Sequence, residues 1–114
     1  MRERGFGLIL FVSSTAAFRG GVLGPHYAAS KAGLHGLTYF LARRTAADGV
    51  TVNTIAPGFI ETAMLPDDPG ELSRSTPVGR VGAPEEVAEL ALAVLRNGYL
   101  TSHVLDIDGG MNPR

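Results

Sequence analysis

Apolar side chains dominate the stretch from Phe6 to Ser14, with almost no polar interruption before the two serines that close it. Its length and lack of alternation predict a strand buried on both faces, as in a parallel sheet. Val50 to Ala56 predicts a second strand, closed by Pro57-Gly58, and His103 to Ile107 a third, followed by Asp108-Gly109-Gly110. Between the strands the apolar period lengthens. His26 to Ala47 reads as a long helix with Pro25 near its start, and Tyr27, Leu34, Leu37 and Leu41 follow helical spacing. Pro84-Glu85-Glu86 opens a second long helix, with proline in the first turn and acids at the positive end of the dipole. Val87, Leu90, Ala91, Val94 and Leu95 form its apolar stripe, and Asn97-Gly98 ends it. Thr15 to Pro25 reads as a loop, and residues 59–82 as another, holding a short helix around Glu71. The order strand–helix–strand–helix–strand indicates right-handed crossovers and a parallel sheet.

Composition narrows the partners. The 114 residues suffice for one small domain, and the formal net charge is −1. The arginines are scattered and matched by acids, which argues against nucleic-acid binding. With no cysteine, neither a disulfide nor a thiolate metal site is available. His26, His35 and His103 lack ligand spacing, so no metal is expected. The N-terminal apolar run is too short for a membrane span and poor as a signal peptide, so a soluble cytoplasmic protein is the expectation.

The candidate chemistry sits where the first strand hands over to the first long helix. Tyr27 and Lys31 are four residues apart, which places phenol and ammonium one turn apart on one helix face. An ammonium beside a phenol favours the phenolate, so such a tyrosine can pass a proton near neutral pH. Lys31 is the only lysine in the chain. Ser14 lies thirteen residues before Tyr27, where a parallel strand would end at its carboxyl edge, the usual ligand edge. Ser13 competes with it. A serine-hydrolase reading fails because there is no Gly-x-Ser-x-Gly elbow. Asn53 reads as structural, satisfying buried backbone groups. Gly20, Gly21 and Gly24 begin six residues after Ser14, not at a tight strand-to-helix turn. They therefore read as a flexible loop rather than a phosphate loop.

Five blocks together carry a resemblance. They are Ser13-Ser14; Tyr27-Ala-Ala-Ser-Lys31-Ala-Gly33; Val52-Asn53 with Ala56-Pro57-Gly58 and Thr62; Gly79-Arg80, Gly82 and Pro84-Glu85-Glu86-Val87-Ala88; and Asp108-Gly109-Gly110. In this order and spacing the chain resembles the short-chain dehydrogenase/reductase family, and within it members like 3-oxoacyl-(acyl-carrier-protein) reductases. The resemblance implies an α/β fold: the C-terminal half of a Rossmann-like, doubly wound parallel sheet, with residues 1–114 as a single partial domain. It implies that Ser14, Tyr27 and Lys31 are catalytic, with Ser14 polarising a carbonyl and Tyr27 handling the proton. Lys31 would tune Tyr27 and hold the nicotinamide ribose. Pro57, Gly58, Ile60 and Thr62 would lie against the nicotinamide, Ile60 through its backbone and Thr62 through its hydroxyl.

The implied cofactor is NAD or NADP, and the substrate a small carbonyl compound or alcohol. The resemblance also implies a homodimer or homotetramer formed through the helix Tyr27 to Arg44 and the C-terminal strand, with Ala32, Gly36, Tyr39, Phe40 and Arg43 facing outward. The family's first half carries a Thr-Gly-x-x-x-Gly-x-Gly phosphate loop that this chain lacks. The first strand is accordingly expected to present an unpaired edge, and an assembly module without catalysis is the alternative function.

Overall fold

A computed structural model describes residues 1–113. It is α/β, with three parallel strands in the order β1-β2-β3. These are β1 (Gly7–Val12), β2 (Val50–Pro57) and β3 (Val104–Ile107). The helices are α1 (Ala16–Arg19), α2 (Pro25–Thr45), α3 (Gly70–Ser75) and α4 (Pro84–Arg96), and a 3-10 turn, Ala46–Asp48, follows α2. The partial Rossmann-like sheet expected from the sequence is therefore present.

Register explains which residues are buried. Ile9 pairs with Val52 and Phe11 with Thr54, which puts these four side chains on one face of the sheet. There Val50 and Val52 pack against Ala42 of α2, with Ile9, Phe11 and Leu41 around them. The helix also reaches the sheet through a polar contact, the Thr38 hydroxyl meeting the Thr54 hydroxyl where both residues are fully buried. Thr38 in addition donates back to Leu34 O at 2.7 Å, so neither buried hydroxyl is stranded. Asn53 and Ile55 point to the opposite face, and Asn53 has the structural role expected of it. Its amide donates to Leu100 O at 2.8 Å, and its carbonyl accepts from His103 N–H at 3.2 Å.

Three details differ from the sequence reading. The stretch read as a loop from Thr15 holds α1, a single turn whose N–H at Ala16 is met by the Ser14 hydroxyl at 3.1 Å. The serine side chain thus caps a turn too short to carry an apolar period. The long helix begins one residue earlier, at Pro25, and gives way to the 3-10 turn after Thr45. Its inward face is His35, Thr38 and Ala42, whereas Leu37 is 42% exposed. Close seating against β2 puts small and hydroxyl-bearing residues there, and of the spaced leucines Leu41 packs against the core while Leu37 does not. At the sheet margin, β1 is an outer strand, and Phe6 and Val12 beside it are exposed.

Candidate active site

The carboxyl ends of β1 and β2 lie side by side and are pinned together. Ser13 N–H donates to Ile55 O at 2.8 Å, and Thr15 N–H donates to Pro57 O at 3.0 Å. This brings the two post-strand segments, residues 13–15 and 57–62, to the same end of the sheet, where α2 starts. A cleft of about 800 Å³ opens there. All seven residues singled out from the sequence line it: Ser14, Tyr27, Lys31, Pro57, Gly58, Ile60 and Thr62.

The two serines are sorted by their partners. Ser13 is buried and turned toward the helix, donating to Lys31 O at 3.1 Å and meeting His35 Nε2 at 2.6 Å. Ser14 is half-buried, and its hydroxyl oxygen accepts from Ala16 N–H. That bond uses a lone pair and leaves the Ser14 hydroxyl proton to donate into the cleft. Lys31 lies one turn beyond Tyr27. Its ammonium is 5.7 Å from the centre of the Tyr27 ring and donates to Val12 O at 3.0 Å. An ammonium has three N–H donors, so two remain for a ligand. His26, the residue before Tyr27, is exposed and does not line the cleft.

The second wall depends on a contact that strand periodicity does not predict. Ile60 forms an isolated parallel bridge with Gly82, just before α4. Gly82 N–H donates to Phe59 O at 2.8 Å and Gly82 O accepts from Glu61 N–H at 2.9 Å. In a parallel bridge the bonded groups belong to the neighbours of the central residue, so the N–H and C=O of Ile60 face away from Gly82. A side chain at 82 would collide with Ile60, since a Cβ there would sit 2.8 Å from Ile60 Cδ1. A Cβ on Gly58 would sit 2.9 Å from that of Asp108, so the β2 and β3 ends also meet through a glycine. Asp108 accepts from Gly110 N–H at 3.0 Å and Asn112 N–H at 2.9 Å, which organises the turn behind that contact.

Arg80 and Glu86 brace the same wall. The guanidinium makes a two-pronged contact with the carboxylate, at 2.9 and 2.6 Å, and Glu86 also accepts from Ala83 N–H at 2.8 Å. The Arg80 hydrogen bond first, then the Ala83 N–H, hold the Glu86 carboxyl at about 2, down from 4.5. Residue 83 is alanine, so the capping is one-sided: the helix acid reaches back to the cap N–H, and no side chain returns the bond.

Much of the remaining lining belongs to no motif. Val22 and Leu23 from the glycine loop, Met64 and Leu65 from the segment after β2, and Leu72 of α3 make the mouth mainly apolar, with Asp68 and Glu71 also in its lining. These residues follow no period, and only the register of the chain ends brings them together.

With the geometry in view, the kinship of the chain is clear. The family model described as enoyl-(acyl carrier protein) reductase matches residues 1–112. An acetoacetyl-CoA reductase of Allochromatium vinosum is 43% identical over 97% of this chain and 48% of its own length. A 3-oxoacyl-[acyl-carrier-protein] reductase of Chlamydia trachomatis is 42% identical over 92% of this chain and 45% of its own length. Carbonyl reductase family member 4 of Xenopus laevis shows the same identity and coverage. The chain spans about half the length of the curated relatives it matches. The chain belongs to the short-chain dehydrogenase/reductase family.

Proposed function

We propose that the complete protein is an NAD(P)-dependent reductase of ketones, working also as a dehydrogenase of the matching secondary alcohols, with Ser14, Tyr27 and Lys31 as its catalytic group. The observation that carries this reading is the convergence of all seven expected residues on one cleft at the carboxyl ends of parallel strands. The relatives point the same way, being named as reductases of acetoacetyl-CoA, 3-oxoacyl-carrier-protein and carbonyl compounds.

The residues fit a nicotinamide. Among the described residues, no hydrogen bond within the chain uses the N–H or C=O of Ile60, and Ile60 lines the cleft. A carboxamide, with one acceptor and a donor pair, suits that exposed peptide edge. The Thr62 hydroxyl accepts from Met64 N–H at 3.3 Å and keeps its own proton to donate. Lys31 has two N–H groups left for a ribose. When bound, the nicotinamide supplies the hydride that converts a carbonyl carbon to a carbinol carbon. Ser14 donates a hydrogen bond to the carbonyl oxygen, and Tyr27 delivers the proton that oxygen requires as its charge develops. Lys31 stabilises the tyrosinate left behind, one turn away on the same face.

The apolar mouth, with Val22, Leu23, Met64, Leu65 and Leu72, favours a substrate whose carbonyl carries an apolar chain over a polyhydroxylated one. Leu37, Tyr39 and Phe40 are exposed on α2 and support assembly of like subunits through that helix.

The test is nucleotide oxidation by the complete protein with acetoacetyl thioesters and simple ketones, beside Tyr27→Phe. Loss of the hydroxyl should lower kcat roughly 10²- to 10⁴-fold. Near-normal turnover by Tyr27→Phe would remove Tyr27 from the catalytic group, and no turnover by the folded parent with any of these carbonyls would leave the assembly-module alternative.

A further inference from the structure

We propose that His35 is a positioning residue for this site, acting through Ser13 and not through the substrate; the role rests on the reductase reading. His35 is 9% exposed, Ser13 is 4% exposed, and their side chains meet at 2.6 Å. His35 does not line the cleft. It stands one turn beyond Lys31 on α2, and its ring is tilted against Phe18 of α1 at 4.8 Å between centres.

The donor count fixes the arrangement. The Ser13 hydroxyl has one proton, and that proton goes to Lys31 O at 3.1 Å. Ser13 Oγ is then an acceptor for His35, so the imidazole carries its proton on Nε2. Both contacts of the buried hydroxyl are satisfied only in this tautomer.

The consequence is a clasp on Lys31. Consecutive residues at the end of β1 hold its two ends, with Val12 O taking the ammonium and Ser13 Oγ bonding the backbone carbonyl. His35 locks the second of these. The next residue in the chain is Ser14, so the distance between the Ser14 hydroxyl and the Tyr27–Lys31 face of α2 depends on this clasp. Removing the imidazole N–H strands a buried oxygen and loosens that spacing, and a misplacement near 1 Å costs about a hundredfold in rate.

Two readouts in the complete protein test it. The first is kinetic, using His35→Leu and His35→Gln. The leucine should lower kcat about ten- to a hundredfold while KM for the nucleotide stays within about twofold. The glutamine, which can still offer an N–H, should restore most of kcat. Equal kcat in both variants and the parent overturns the proposal, and so does a loss that the glutamine fails to relieve in folded protein. The second is the nitrogen NMR signature of the His35 ring, which requires neither turnover nor a variant that folds. A protonated Nε2 and bare Nδ1 are expected, and protonation on Nδ1 alone overturns the clasp. If the folded parent shows no turnover, the reductase reading fails while the tautomer still decides the Ser13–His35 contact.

Discussion

The two long helices, α2 and α4, obey different rules. In α4 the pattern is legible: Val94 is buried, Val87, Leu90, Ala91 and Leu95 are half-buried, and the acids gather in the first turn. In α2 the inward face is His35, Thr38 and Ala42, while Leu37, Tyr39 and Phe40 face out. The difference follows from what each helix does. The stripe of α4 covers apolar surface, and only its first turn, at Pro84 and Val87, reaches the cleft. The inner face of α2 must seat closely on β2 through the Thr38–Thr54 contact and hold the end of β1 through Ser13, Lys31 and His35. It must also point Tyr27 into the cleft. On the proposed function α2 is the helix that positions chemistry, and its departures from period coincide with the candidate site.

Substitutions that separate rate from stability sharpen the contrast. The largest effect is expected on α2: Lys31→Met in the complete protein should lower kcat/KM roughly a hundredfold or more with little change in unfolding free energy. A destabilised but fully active variant would reverse the roles of the helices. On α4, Val94→Ala empties part of a site that is 3% exposed, and should cost about 2 kcal/mol in denaturant unfolding while kcat stays level. A rate loss there without a stability loss would break the comparison.

The smallest effect belongs to the α4 cap. The Glu86 carboxyl is held below its unfolded value of 4.5, at about 2, so its contribution to stability is complete above about 4.5 and disappears as pH falls toward 2. The contact is at the surface, with side chains 60% and 40% exposed, so the contribution is small. Thermal unfolding of Glu86→Gln should show a modest deficit at pH 7 that closes as pH approaches 2. A deficit unchanged with pH would assign the role to packing instead of the ion pair.

Strands were legible because β1 is a nearly unbroken apolar run and β2 is rich in β-branched residues, and the parallel sheet followed from their alternation with helices. That the seven candidate residues line one cleft was legible only as a combination of motifs and spacing, and the structure adds close contacts at two glycines of those motifs. A Cβ on Gly82 would push the Ile60 side chain aside, and one on Gly58 would press on the Cβ and backbone of Asp108. His35 escaped because histidine spacing speaks only to metal ligation. Its place four residues after Lys31, facing the serine before Ser14, was the available signal. α1 escaped because one turn is too short to carry a period. The apolar mouth escaped because its residues come from three segments that meet only after folding.

The most direct test of the central claim, that these residues build a nicotinamide site, is a fluorescence titration of the complete protein with NADH and with NADPH, run beside Lys31→Met. Saturable binding of at least one nucleotide, weakened in Lys31→Met, is the predicted result, and the preferred nucleotide identifies the cofactor. No saturation by either in a folded sample, or identical binding by parent and variant, would contradict the account.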